Sequence, residues 1–61
     1  MNTQSWRLSI PQMTIMVRID RNQRIIEAAP IVHKFVGEFL TDLIRWMQRV
    51  GGNVDVMFLG E

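Results

Sequence analysis

The 61-residue chain has no cysteine, no tyrosine and a single histidine. Without thiols no disulfide can form, and a zinc site is not expected. No serine, cysteine or second histidine is spaced to work with His33, so this imidazole has no evident partner for nucleophilic or acid-base catalysis. We interpret His33 as a residue at the boundary of an apolar helix face. The sequence predicts neither an enzyme nor a bound metal or cofactor.

Long apolar runs and phosphate-binding glycine loops are also missing. No stretch approaches the roughly 18 uninterrupted apolar residues that a membrane span requires, and the N-terminus lacks the charged and apolar regions of a secretory signal. We therefore expect a cytoplasmic protein without membrane association. Gly51 and Gly52 follow a predicted helix rather than opening one, which argues against a phosphate-binding loop.

Charge of one sign is not in excess, because seven basic and six acidic residues leave a formal charge of +1. This balance does not indicate a dedicated nucleic-acid-binding domain, since such domains commonly have a pI above about 9. Glu38 and Asp42 have the four-residue spacing of a paired acid site, but Lys34, Arg45 and Arg49 surround them. Such alternating charges are typical of a solvated helix face with ion pairs between successive turns.

Alternating apolar and polar residues predict four strands. The pattern is present over 6–10, 13–19, 24–28 and 54–59, and β-branched residues make the second run the clearest. The second and third runs are separated by a short polar segment, which predicts an antiparallel hairpin whose turn has Asn22 at positive φ.

A helix is predicted between the third and fourth strands. Pro30 suits a first helical position, and apolar residues then recur every three or four positions over 32–50. The glycines at 51–52 provide the C-terminal stop. Gly37 is unfavourable inside a helix, so the alternative is a kink or two helices that meet at this residue.

The element order is therefore β-β-β-α-β, which predicts a single α+β domain over 1–61. We expect a small, mostly antiparallel sheet with one long amphipathic helix packed across it. Because the well-patterned part begins at Met13, residues 1–12 are interpreted as an extension of a compact unit over 13–59.

The predicted helix is apolar over about 180° of its circumference, whereas a helix covering one sheet needs about 100°. The surplus predicts a protein interface, and a chain of this size gains stability from association. One flank carries Leu40, Ile44 and Met47, and the other carries Phe35 and Trp46. The competing interpretation is that a twisted sheet and the first strand cover the helix completely.

Two further features bear on binding. Arg18, Arg21 and Arg24 cluster at the hairpin, where guanidinium groups suit either an acidic protein surface or phosphates. Apolar Met57 and Leu59 leave open a different interface, an edge strand that pairs across a dimer.

These features support three hypotheses of function. The first is a non-catalytic protein-interaction module that self-associates, as a homodimer for example, or docks on a larger protein. The second is a small nucleic-acid-binding protein that uses the hairpin arginines. The third is a structural subunit of a larger particle.

The run 17–30, together with Phe35-Val36-Gly37 and Leu43-Ile44-Arg45-Trp46-Met47, resembles short uncharacterised open reading frames of bacteria and their phages. The resemblance spans residues 13–59 and transfers no catalytic or binding residue. It implies a context, because small accessory proteins of phages and mobile elements often bind and occlude a larger host protein, such as a defence nuclease. The chain would then act as an inhibitor in the host cytoplasm.

Overall fold

A computed structural model describes residues 3–61 of the chain. Four antiparallel strands form one sheet, and one α-helix packs against it, which confirms the α+β class and the β-β-β-α-β order. The elements are β1 (Gln4–Ile10), β2 (Met13–Ile19), β3 (Ile25–Ala28), a 3₁₀ helix (Pro30–Phe35), α1 (Leu40–Gly51) and β4 (Asp55–Gly60). Within the described residues, no helix has both the length and the apolar character needed to cross a membrane.

The strand order β3-β2-β1-β4 places the first two strands in the middle of the sheet. β1 pairs with β2 from Gln4 opposite Ile19 to Ile10 opposite Met13, and it pairs with β4 on its other side. β1 is therefore a central strand, which corrects the expectation that residues 1–12 extend a separate unit. Residues 1 and 2 of that expected extension lie outside the described residues.

One face of the sheet and one face of α1 form the core. Alternate residues of the two central strands point to α1, and α1 contributes Leu40, Leu43 and Met47. No polar or charged residue is buried in the described part of the chain. The other buried side chains are Leu8, Ile10, Ile15, Val17, Ile19, Ile25 and Val32.

The helix expected over 32–50 is interrupted at Gly37, as the alternative allowed: a 3₁₀ helix ends at Phe35, and the single α-helix begins at Leu40. Val36 is extended, Gly37 has a φ of +93°, and α1 begins only at Leu40. The break is stabilised by β3, because the Gly37 N–H donates to the Ile25 carbonyl and the Ile25 N–H donates to the Glu38 carbonyl, both at 2.8 Å. These bonds replace the helical hydrogen bonds that the apolar spacing predicted.

The hairpin turn is where the sequence predicted it, although its geometry differs in one residue. Positive φ occurs at Gln23, with a φ of 66°, and not at Asn22. The Asp20 carboxylate accepts hydrogen bonds from the Asn22 N–H at 2.9 Å and from the Arg24 N–H at 3.0 Å. An aspartate that closes a turn in this way is a common local substitute for backbone pairing.

Candidate protein-interaction surface

The helix flank predicted as an interface lies mostly in the core. Leu40 is 7% exposed and Met47 is 0% exposed, so neither side chain is accessible to a partner. Ile44 is half-buried and packs against the core beside them. The prediction failed because the sheet covers much of the apolar face of α1, which is only 12 residues long. The prediction of an interface at Leu40 and Met47 is wrong.

The opposite flank is an aromatic cluster with a cation over it. The rings of Phe35 and Trp46 have centroids 5.4 Å apart, and the Lys34 ammonium lies 5.1 Å from the Trp46 ring. Both rings are half-buried against the core. Arg45, which lies 3.6 Å from the Asp42 carboxylate, lines the same shallow groove. This flank therefore presents charge and aromatic edges rather than an open apolar face.

The three hairpin arginines do not form one patch. The Arg18 guanidinium pairs with Glu27 at 2.9 Å on the outer face of the sheet. The Arg24 guanidinium donates to the Gly37 carbonyl at 2.9 Å and lies 4.5 Å from the centre of the Phe39 ring. Arg21 lies exposed at the turn and takes no part in these contacts.

A more exposed apolar surface lies on β4. Val56, Met57, Phe58 and Leu59, here called the β4 surface, are 39%, 44%, 48% and 45% exposed. Val56 lies opposite Leu8 and Phe58 lies opposite Trp6, so both belong to the helix-side face of the sheet. That face is buried along the central strands but open here, because α1 does not cover β4.

Both faces of β4 contact β1 through side chains. On the helix side, the rings of Trp6 and Phe58 have centroids 5.2 Å apart. On the outer face, the Arg7 guanidinium donates to the Met57 sulfur at 3.2 Å. These contacts hold the strand in place while leaving roughly half of each apolar side chain in solvent.

The two sheet edges differ in how their backbone groups are satisfied. Along β3, both backbone groups of Ile25 are bonded to residues 37 and 38, and the register shift beside it leaves Ile26 without an opposite residue. A short strand, a bulge and a covering loop are common means of closing an edge. Along β4, the sheet has no neighbouring strand beyond β1 within residues 3–61. Its outward N–H and C=O groups are open to another strand.

The sequence pattern located β4 but not its exposure. The sequence predicted Met57 and Leu59 as residues of an edge that pairs across a dimer, but it did not indicate that Val56 and Phe58 are exposed as well. Their exposure depends on the strand order, which places β4 beyond the reach of α1. A single sequence has no local signal for strand order, since that order is set by long-range pairing.

Comparisons with family models, curated proteins and solved structures gave no match to this chain. In the part of the chain that the structure describes, no three His, Cys, Asp or Glu side chains are grouped as metal ligands would be. We infer function from the β4 surface and the open edge beside it.

Proposed function

We propose that this protein is a non-catalytic protein-interaction module that binds its partner along β4. The observation that carries the proposal is the coincidence of four consecutive exposed apolar residues, 56–59, with an open strand edge. A partner strand that pairs with this edge would gain main-chain hydrogen bonds, and alternate side chains would provide selectivity. The proposal therefore places the binding surface at the edge of the sheet, and not on the helix flank that the sequence predicted.

The proposal is supported by the absence of common protective features along residues 56–58 of β4. Exposed edges in monomeric proteins are commonly blunted by lysine, by proline or by an inward-pointing charge. Residues 56–58 carry no charge and no proline, and the strand's one irregularity lies near Leu59, which is left between the pairs Trp6–Phe58 and Ser5–Gly60. Three consecutive apolar residues are therefore available in regular strand geometry.

We base the proposed biological role, occlusion of a host protein, on the resemblance to phage and bacterial reading frames. In our proposal the chain acts in the cytoplasm, where occlusion of a host protein requires a binding edge and no chemistry of its own. An edge strand suits this role because a small protein can add its whole sheet to a larger one through a single strand.

The proposal is tested by affinity capture from host lysate with three baits. These are the wild-type chain, Met57→Lys and Met16→Lys. Met16 is 63% exposed on the outer face of β2, away from the edge, so its substitution is a matched control for the added charge. We expect the wild type and Met16→Lys to recover the same protein, and Met57→Lys to lose it, because an ammonium group at an edge opposes pairing. Equal recovery by all three baits would contradict binding along β4.

Nucleic-acid contact is the second candidate, and it is favoured by a different surface from the one predicted. Lys34, Arg45 and Arg49 surround the Phe35 and Trp46 rings, and cations beside aromatic rings are the combination that binds single strands. Treating half of each lysate with nuclease separates the two functions. A partner recovered only without nuclease would indicate this groove.

A further inference from the structure

We propose that the partner strand is β4 of a second copy, paired antiparallel about a two-fold axis that passes beside Met57. The inference rests on the proposed function, because it requires β4 to be the binding edge. It names a second copy as the occupant of that edge, so a larger host protein would have to displace this copy. The product is a continuous eight-stranded sheet in which the two β4 strands are central neighbours. Both α1 helices lie on the same face of this sheet.

Symmetry restricts the register of such a pair. A two-fold axis perpendicular to the sheet keeps the helix-side faces of both copies on one side, and directly opposite residues of antiparallel strands share a face. Residues of the helix-side face must therefore oppose residues of the same face. With the axis beside Met57, Val56 lies opposite Phe58 of the second copy, and Met57 lies opposite Met57 of the second copy.

The neighbouring symmetric registers are less favourable. An axis beside Phe58 would place Asp55 opposite Glu61 of the second copy, and like charges directly opposite each other destabilise a strand pair. It would also draw the irregular position at Leu59 into the centre of the pairing. An axis beside Val56 would place Met57 opposite the charged Asp55. The registers centred on Met57 and on Phe58 both have three apolar central pairs, but only the one centred on Met57 also keeps Asp55 away from Glu61 and Leu59 out of the central pairs.

The helix-side face of β4 supplies the packing for this pairing. Phe58 already lies against Trp6, with ring centroids 5.2 Å apart, and both are on the helix-side face at a place that α1 does not cover. Val56 of the second copy would cover the outer side of the Phe58 ring. The same contact is repeated by symmetry, so one strand supplies both halves of the apolar contact.

The size of this interface sets the expected affinity. Stable interfaces bury about 1,200 to 2,000 Å² in total, and one added strand pair falls at or below the low end of that range. Because association also costs translational and rotational freedom, we expect dissociation in the micromolar range. A concentration series is therefore needed to observe the dimer.

Sedimentation velocity on the full chain from micromolar to millimolar concentration tests the proposal. We expect the wild type and Met16→Lys to pass from monomer to dimer, while Met57→Lys stays monomeric. In the proposed register, the two introduced ammonium groups would face each other across the axis. Far-UV circular dichroism on each variant confirms that a loss of association is not a loss of fold.

Disulfide trapping tests the register, since the natural chain has no cysteine. Opposite residues of antiparallel strands have Cα atoms about 4.5 to 5.5 Å apart, within the range of about 4.4 to 6.8 Å that a disulfide spans. Under mild oxidation, Met57→Cys should give a covalent dimer. Met16→Cys, which is more exposed but distant from the edge, should remain mostly monomeric. Equal trapping at both positions would overturn the register.

The outcomes separate this inference from the proposed function. A wild-type chain that stays monomeric at millimolar concentration overturns pairing with a second copy, while capture that depends on Met57 would still support binding along β4. A dimer that persists in Met57→Lys overturns β4 as the edge for both.

Discussion

At the residue scale, Gly51 packs tightly against the sheet. A Cβ atom at this position would lie 2.7 Å from Cβ and 2.8 Å from Cδ1 of Ile10. The last turn of α1 thus rests on the end of β1 with no room for a side chain. A hydrogen bond from the Gln12 side-chain amide to the Val50 carbonyl, at 3.2 Å, joins the same two regions.

We predict that Gly51→Ala destabilises the protein, although alanine is the better helix former. The overlap with Ile10 requires the helix end to move, which typically costs about 1 to 3 kcal/mol, more than the roughly 1 kcal/mol that helix propensity contributes. Urea denaturation followed by circular dichroism measures the change. An alanine variant of higher stability than wild type would show that the helix end is free to shift.

At the element scale, Gly37 separates the 3₁₀ helix from α1 and brings the chain against β3. Its φ of +93° is strained for any residue with a side chain, although the space around it is open. The position therefore isolates backbone conformation from packing, in contrast to Gly51, where the backbone is helical and space is lacking.

We predict that Gly37→Ala lowers the free energy of unfolding by about 1 to 2 kcal/mol, the typical cost of a left-handed backbone for a residue with a Cβ. Gly37→Asn should lose less, because asparagine tolerates positive φ better. Denaturant titration of both variants gives the comparison. If alanine and asparagine cost the same, the cause is not the backbone angle.

The elements also show how far the sequence is informative. All four strands were predicted within a few residues, because the alternation of apolar and polar residues along a strand is visible in the local sequence. The interrupted helix was predicted only as an alternative, since the apolar spacing of Val32, Val36 and Phe39 continues through the break. What ends the helix is pairing with Ile25, a residue 12 positions before Gly37, and no local pattern encodes that contact.

The candidate site was less predictable than the fold. Leu40 and Met47 are apolar for the reason the sequence suggested, which is contact with another surface, but that surface is the protein's own sheet. The hairpin arginines were grouped by their positions in the chain, whereas Arg18 and Arg24 make separate contacts in the folded protein. Sequence periodicity identifies a face that is buried, and tertiary structure decides what buries it.

At the scale of the whole molecule, the folded chain exposes 4197 Å², close to the roughly 4,100 Å² that size scaling gives for a monomer of 7.2 kDa. Proteins have about 0.05 to 0.15 kcal/mol of stability per residue, which for this chain is roughly 3 to 9 kcal/mol. Association that contributes even a few kcal/mol is a large share of that margin.

We therefore predict that the melting temperature rises with protein concentration, because binding between folded copies stabilises the folded state by mass action. The wild type and Met16→Lys should show this dependence, and Met57→Lys should melt at one temperature throughout. Calorimetry over a hundredfold concentration range measures it. A wild-type melting temperature that is independent of concentration would contradict pairing of the copies.

The partly covered β3 edge limits how far such an assembly can grow. Residues 37 and 38 occupy the backbone groups of Ile25 and so cover part of the β3 edge, while β4 has no neighbouring strand beyond β1 in the described sheet. Once two β4 strands have paired, only the short and partly covered β3 edges are left for a third molecule. With both edges open, every addition would expose a fresh template, and the sheets would extend without limit as they do in fibrils. Residues 37 and 38, in the segment that interrupts the helix, thus hinder the addition of further molecules at the β3 edge.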